Sequence, residues 1–243
     1  MNIGGLQKLS FIDYPDRLAA VVFTQGCNWR CPWCHNPGLL NPATAQPGPG
    51  ANDVLTFLES RKGRVDAVVI TGGEPTLQPD LGDFITALRK LGYPVKLDTN
   101  GSRPEVLKDL LEKQLLDFIA MDLKAPPAKC NAAIGTAFAF PTLQRSIDLI
   151  GQSGLPHHFR TTVVPGLHEE ADAAVLAALI PPASPWIIQA FRPLPTHKTR
   201  HPDLPDQPPP PSLLQAFHRE AHARTPSIRQ IHPKCPEPVP PNT

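Results

Sequence analysis

The chain has 243 residues, 41% of them hydrophobic, which is long enough and apolar enough for one substantial core. With 23 basic and 22 acidic residues, its net charge of +1 supports neither a nucleic-acid partner nor an anionic membrane partner. No run approaches the roughly 20 apolar residues of a membrane span, and the N-terminus lacks the basic start and apolar run of a signal peptide, so a cytoplasmic location with reduced thiols is expected.

Short β-branched runs alternate with amphipathic stretches, which predicts βα units and a parallel sheet. In chain order the predicted strands are 18–24, 65–70, 94–97, 118–121, 158–164 and 186–191. The predicted helices are 53–62, 80–91, 104–114, 141–153, 169–180 and 212–223. Asp80 is placed to cap the second helix, and Pro104 to open the third. Six units with no fixed repeat are too few for a closed eight-stranded barrel. They suit a partial barrel, and an open doubly wound sheet fits the same alternation.

The residues at the strand ends favour the barrel. Gly26-Cys27, Thr71-Gly72-Gly73-Glu74, Asp98-Thr99-Asn100-Gly101, Asp122-Leu123-Lys124, Pro165-Gly166 and Arg192-Pro193 follow the six strands in turn. In barrels of parallel strands, chemistry collects at these ends; six occupied ends suit a ring around one site better than a single crevice. The expected fold class is therefore α/β, a partial (β/α)6 TIM-like barrel, with residues 1–232 as one domain. Much of the 32-proline content gathers late in the chain, so 194–211 reads as a long loop and 233–243 as a mobile tail.

Cys27, Cys31 and Cys34 are spaced C-x₃-C-x₂-C. Three thiolates on one tight loop can hold three irons of a [4Fe–4S] cube and leave the fourth iron open. Structural zinc with His35 or a distant fourth ligand is the alternative, although adjacent Cys34 and His35 make poor geometry for one ion. Cys130 and Cys235 read as inert. In Thr71-Gly72-Gly73-Glu74-Pro75, the two glycines let backbone approach a ligand closely, and Glu74 can accept from a cationic amine; a glycine turn with a surface acid is the plainer reading.

The cysteine loop, with Trp33 in an aromatic place before Cys34, and the Gly-Gly-Glu-Pro segment together resemble the radical S-adenosylmethionine (SAM) superfamily. Between Gly4 and about Arg200 the chain is similar to glycyl-radical-enzyme activating proteins. It is most similar to the branch that activates anaerobic ribonucleoside-triphosphate reductase. Gly4-Gly5-Leu6-Gln7-Lys8, Ser10-Phe11-Ile12-Asp13-Tyr14-Pro15, His35-Asn36-Pro37 and Ile188-Gln189-Ala190-Phe191-Arg192-Pro193 carry that likeness.

The resemblance implies a radical SAM type of partial barrel, one [4Fe–4S] cluster on Cys27, Cys31 and Cys34, and SAM chelating the open iron. It implies Trp33 against the adenine, and His35, Gly72, Gly73 and Glu74 in the cofactor site. Asp98 and Thr99 match groups around the methionine moiety and a nearby cation. Asp122 and Lys124 match a SAM-binding strand end, and Arg160 matches an arginine that meets the SAM carboxylate. His197 is a further candidate near SAM; His157, His168 and His201 read as surface histidines. The 37–53 segment carries no extra cysteines, so a single cluster is expected.

The implied reaction is reductive cleavage of SAM to a 5′-deoxyadenosyl radical, which takes a hydrogen atom from a glycine of a partner protein. The cofactors carry that chemistry and no side chain need act as acid, base or nucleophile. The implied partners are a glycyl radical enzyme, foremost a class III ribonucleotide reductase, and a one-electron donor such as flavodoxin or ferredoxin. A radical SAM enzyme of a small molecule, such as a 7-carboxy-7-deazaguanine synthase, is the alternative activity. A non-catalytic zinc module is the alternative of another class.

Overall fold

The computed structural model describes residues 1–194 and 201–224. His197, Cys235 and the 233–243 tail lie outside the described residues. The described chain divides into two compact units, one made of Met1–Asn28 with Asn36–Ala120, the other of Trp29–His35 with the chain from Met121 on.

The first unit begins with β1 (Ile3–Ser10), β2 (Ala19–Thr24) and α1 (Ala51–Glu59). It continues with β3 (Ala67–Gly72), α2 (Leu81–Lys90), β4 (Val95–Thr99) and α3 (Pro104–Glu112), and reaches into β5 (Phe118–Asp122). β1 pairs antiparallel with β2; β2, β3 and β4 run parallel, with Thr24 opposite Gly72 and Ile70 opposite Leu97. Ala19 to Phe23 and Ala67 to Ile70 are buried without alternation, as strands covered on both faces should be. The helices present Val54 and Leu58, Phe84, Ile85 and Leu88, and Leu107 and Leu110 to that core. Tyr93, just before β4, donates its hydroxyl to the Leu58 carbonyl at the end of α1, at 2.7 Å.

β1 is not among the predicted strands. Its Gly4-Gly5 pair and its polar Gln7 and Lys8 mask the strand pattern, and its register with β2 shifts twice. Asp80 precedes α2 without capping it through its side chain; its carboxylate turns instead to the Met1 amine. Pro104 opens α3 as expected.

The second unit holds the end of β5, then α4 (Cys130–Ile134), α5 (Phe140–Gln152) and β6 (His157–Val163). It closes with α6 (Glu170–Leu179), β7 (Trp186–Ala190) and α7 (Pro211–Arg224). β6 and β7 are parallel from Phe159 opposite Trp186 to Val163 opposite Ala190. The Phe217 ring of α7 meets the Trp186 ring at 5.9 Å and the His168 ring at 5.7 Å, the latter edge-on. Along the sheet the strands follow chain order, β1 to β7. Strands β2 to β7 are those predicted, each followed by helix, with parallel pairing among β2, β3 and β4 and between β6 and β7, and the α/β (β/α)6 class holds.

The Tyr93 bond is the side-chain tie between α1 and the approach to β4. Tyr93→Phe leaves the buried Leu58 carbonyl without that donor and is expected to lower unfolding stability by about 1–2 kcal/mol, read from urea denaturation midpoints with an unchanged slope.

Candidate functional site

The cysteine loop follows β2, and its beginning is held by backbone. Gly26 N–H donates to the Leu39 carbonyl at 2.7 Å, and Cys27 N–H to the Leu40 carbonyl at 3.2 Å. Gly73 N–H reaches the Thr24 carbonyl at 2.9 Å, and Glu74 N–H the Gly26 carbonyl at 2.8 Å. The ends of β2 and β3 thus lie backbone against backbone. A Cβ on Gly73 would stand 2.1 Å from the Gly26 oxygen, and Gly72 has φ +116° with space for a Cβ blocked by Thr24. The glycines are required by this contact within the protein, whatever approaches from outside.

Glu74 is 1% exposed. Its Oε1 accepts from Thr76 N–H at 3.1 Å and from the hydroxyls of Thr76 and Thr99, at 2.5 and 2.7 Å. Its Oε2 accepts from Asn100 N–H at 2.7 Å. Burial pushes the carboxyl above its ordinary value, and these four hydrogen bonds oppose the rise. A carboxylate offers about four acceptor positions, so Glu74 is occupied in joining the ends of β3 and β4. It is a buried strut, in contrast to the surface acid of the plainer sequence reading.

Asn100 extends the strut to the cysteine loop. Its side-chain amide donates to Asn28 Oδ1 at 3.0 Å and faces Cys27 Sγ at 4.0 Å. Asn28 in turn donates to the Ser102 hydroxyl at 2.8 Å, and Ser102 N–H closes the ring on Asn100 Oδ1 at 2.9 Å. Asp98 is buried, and its carboxylate is bonded by the Lys96 ammonium. That ammonium also lies 6.0 Å from the centre of the Phe118 ring. The sequence reading missed Asn28, Lys96 and Asn100. Lys96 stands two residues before Asp98 on one strand, so the period of 2 places both on one face; the asparagines gave no signal until the fold brought them together.

In the second unit, Arg30 N–H donates to the Ile134 carbonyl at 2.7 Å, and the Trp29 ring meets the Phe138 ring edge-on at 5.9 Å. These contacts carry the segment with Cys31, Trp33, Cys34 and His35. Trp33 is 4% exposed, and its indole N–H has no partner among the described residues. A buried donor without a partner costs free energy, so this N–H suits a bound group that brings an acceptor. His35 is half-buried.

At the end of β5, Arg160 Nε donates to Asp122 Oδ1 at 2.6 Å, and Lys124 Nζ to Asp122 Oδ2 at 2.8 Å. Burial raises the Asp122 carboxyl, but Arg160 and then Lys124 outweigh it and hold the group well below the usual carboxylate range. Lys124 is pushed up: desolvation would lower it, and the charges of Asp122 and Cys31 prevail. Two cations and one anion leave this group with net charge +1, which suits recognition of a carboxylate.

His168 is the correction among the histidines. Expected at the surface, it is 3% exposed. It fills the turn between β6 and α6, and nothing in the sequence marks a lone histidine there as buried. His157, also expected at the surface, is partly buried and bonds the Leu155 carbonyl and the Ser184 hydroxyl.

Cys27 belongs to the first unit, Cys31 and Cys34 to the second. None of the three is in a disulfide. Among the described residues, no three His, Cys, Asp or Glu side chains stand together as a ready metal site. Three thiols within eight residues supply a soft donor set that fits an iron–sulfur cluster. No described helix is long and apolar enough to cross a membrane.

Residues 21–178 match the family model described as the radical SAM superfamily. A Methanocaldococcus jannaschii protein, provisionally named a glycyl-radical enzyme activating enzyme, is 32% identical over 208 residues, 84% of this chain and 85% of that one. The 7-carboxy-7-deazaguanine synthase of Rhodospirillum rubrum is 42% identical over 82 residues, 33% of each chain. Among solved structures, Streptococcus suis SuiB bound to S-adenosylmethionine aligns with a TM-score of 0.61 at 16% identity, covering 82% of this chain and 45% of that one.

Gly73→Ala forces the ends of β2 and β3 apart, since its Cβ would meet backbone at 2.1 Å. A loss of about 1–3 kcal/mol is expected, together with lower iron and sulfide content after reconstitution; an unchanged denaturation midpoint refutes the contact. For Asp122 the folded pKa is depressed, so its stabilising contribution is present above the unfolded value of about 3.9 and is lost as pH falls through the folded one. The stability gap between the protein and its Asp122→Asn variant should therefore narrow below about pH 4, as followed by urea unfolding across that window.

Proposed function

Because the chain belongs to the radical SAM superfamily, we propose that it is a glycyl-radical-enzyme activating enzyme whose partner is a class III, anaerobic ribonucleotide reductase. Its cofactors are a [4Fe–4S] cluster and SAM. When bound, they supply one-electron cleavage of the SAM sulfonium and, from it, a carbon radical able to remove a hydrogen atom.

The chain's own residues then have four tasks. Cys27, Cys31 and Cys34 hold the cluster, and the Glu74–Asn100–Asn28 network fixes the backbone at Cys27. Lys124 and Arg160, with Asp122 between them, take the SAM carboxylate as a charge-assisted partner. Trp33 offers its buried N–H and apolar face to the nucleoside. Asp98 and Thr99 stand at the end of β4, where Lys96 neutralises Asp98 and Glu74 anchors Thr99; with Gly72, Gly73 and His35 they complete the proposed cofactor-binding set. No acid–base pair or nucleophile is assigned, and hydrogen-atom transfer needs none.

The observation that carries the activase reading is the extent of the likeness to the archaeal relative, which covers 84% of this chain and 85% of that one. The similarity to 7-carboxy-7-deazaguanine synthases is shorter, covering 33% of this chain for the Rhodospirillum rubrum enzyme and 44% for that of Methanopyrus kandleri. The ribonucleotide reductase partner rests on the Ser10-Phe11-Ile12-Asp13-Tyr14-Pro15 and Gln189-Ala190-Phe191-Arg192-Pro193 segments. A one-electron donor such as flavodoxin or ferredoxin completes the system.

The test is anaerobic reconstitution, then mixing with SAM, a chemical reductant and the class III reductase of the same organism. A glycyl-radical EPR signal on the reductase, with 5′-deoxyadenosine formed in step, is the expected outcome. Formation of 5′-deoxyadenosine only when a pterin substrate is supplied, with no radical on any protein, favours the small-molecule activity and overturns the activase reading.

A further inference from the structure

The loop after β5 is tied at several points of the second unit to β6, to the turn after it and to the start of α6. Leu123 N–H donates to the Arg160 carbonyl at 2.8 Å, and the Thr161 hydroxyl to the Leu123 carbonyl at 2.7 Å. Lys129 Nζ reaches Asp172 at 2.8 Å and Glu169 at 3.3 Å, at the start of α6. His168 makes the remaining tie. Its Nδ1 accepts from Val164 N–H at 3.0 Å, so the ring proton lies on Nε2, which donates to the Lys124 carbonyl at 3.0 Å. The ring is buried, and Phe217 of α7 stands against it.

This bond acts on the residue whose side chain faces the anion. A carbonyl fixed by a buried donor sets the peptide plane of Lys124, and with it the origin of the ammonium that pairs with Asp122. Side chains that recognise charge need their own backbone held to a fraction of an ångström. Resting on the SAM-binding reading above, we propose that His168 is a positioning residue for SAM: through the Lys124 carbonyl it holds the Asp122–Lys124–Arg160 group in register for the SAM carboxylate. It touches neither SAM nor the reacting atoms. Its Val164 bond orients the ring, and its Lys124 bond carries the effect.

The two bonds can be removed separately. The amide of asparagine reaches the place of Nδ1, so His168→Asn can keep the Val164 bond and loses the Lys124 bond. The amide of glutamine reaches the place of Nε2, so His168→Gln keeps the Lys124 bond and loses the other. Each variant forfeits one buried hydrogen bond, so similar losses of melting temperature are expected.

SAM binding to the reconstituted holoenzyme is measured by equilibrium dialysis with labelled SAM, alongside KM and kcat for reductive SAM cleavage. His168→Asn should bind SAM about tenfold more weakly, with KM raised in step and kcat nearly unchanged. His168→Gln should stay within about threefold of the unaltered protein. Equal SAM affinities for the two variants, or a loss confined to kcat, overturn the proposal. If one variant does not fold, the other still decides against the unaltered protein: Gln must keep the affinity, or Asn must lose it. An unaltered holoenzyme that binds no SAM overturns the functional reading itself, an outcome separate from these.

Discussion

A buried carboxylate organises the first unit. Glu74 gives up water and receives four hydrogen bonds in exchange, from residues on two strand ends. Removing a carboxylate from water is costly unless its acceptor positions are met. Meeting them all within the protein converts that cost into geometry: β3 and β4 cannot move apart without stranding the charge. The backbone of Glu74 bonds Gly26, and Asn100 bonds Asn28, so the same geometry reaches the first cysteine of the loop. The small size of Gly73 belongs to this arrangement, because the carboxylate can be set in place only if β2 and β3 touch.

The second unit solves a similar problem with charge. Asp122 lies half-buried between Arg160 and Lys124, whose charges hold its carboxyl well below the usual carboxylate range. One anion between two cations leaves a single positive charge held in a defined place. Two free cations would be mutually repelled and mobile; the aspartate fixes both and lowers the local repulsion. The backbone bond from Leu123 to Arg160 and the Lys129 pairs at the start of α6 hold the loop after β5 against β6 and α6 in that register. Catalysis by electrostatics depends on such prior ordering, because a group fixed before binding need not be reorganised afterwards.

Charged residues and the groups that bond them differ in how legible they were from sequence. Charged residues at the strand ends announce themselves, since Asp, Lys and Arg at the close of an apolar run need an explanation. Glu74, Asp98, Asp122 and Lys124 stand out that way, whereas Arg160, within β6, was named by the family resemblance alone. Groups that act on those charges from a distance in sequence were not found. Asn28, Asn100 and His168 have ordinary neighbours, and each gains its meaning from a partner 72, 72 and 44 residues away in sequence. β1 was invisible for another reason: an antiparallel strand with adjacent glycines and two register shifts has neither strong β propensity nor clean alternation.

By itself, the sequence determined the six βα units, the donor chemistry of the cysteine loop and the charges at the strand ends. All three are local: periodicity, spacing and residue type survive in a linear reading because they do not depend on which segments meet. Only the tertiary structure decided what those residues are bonded to. It made Glu74 an internal strut, paired Lys96 with Asp98, set Asp122 between two cations and buried His168 beneath α7. Such assignments depend on contacts between distant segments, and burial changes what a side chain does: the same carboxylate that would face water on an isolated strand must, inside the fold, bind the protein around it.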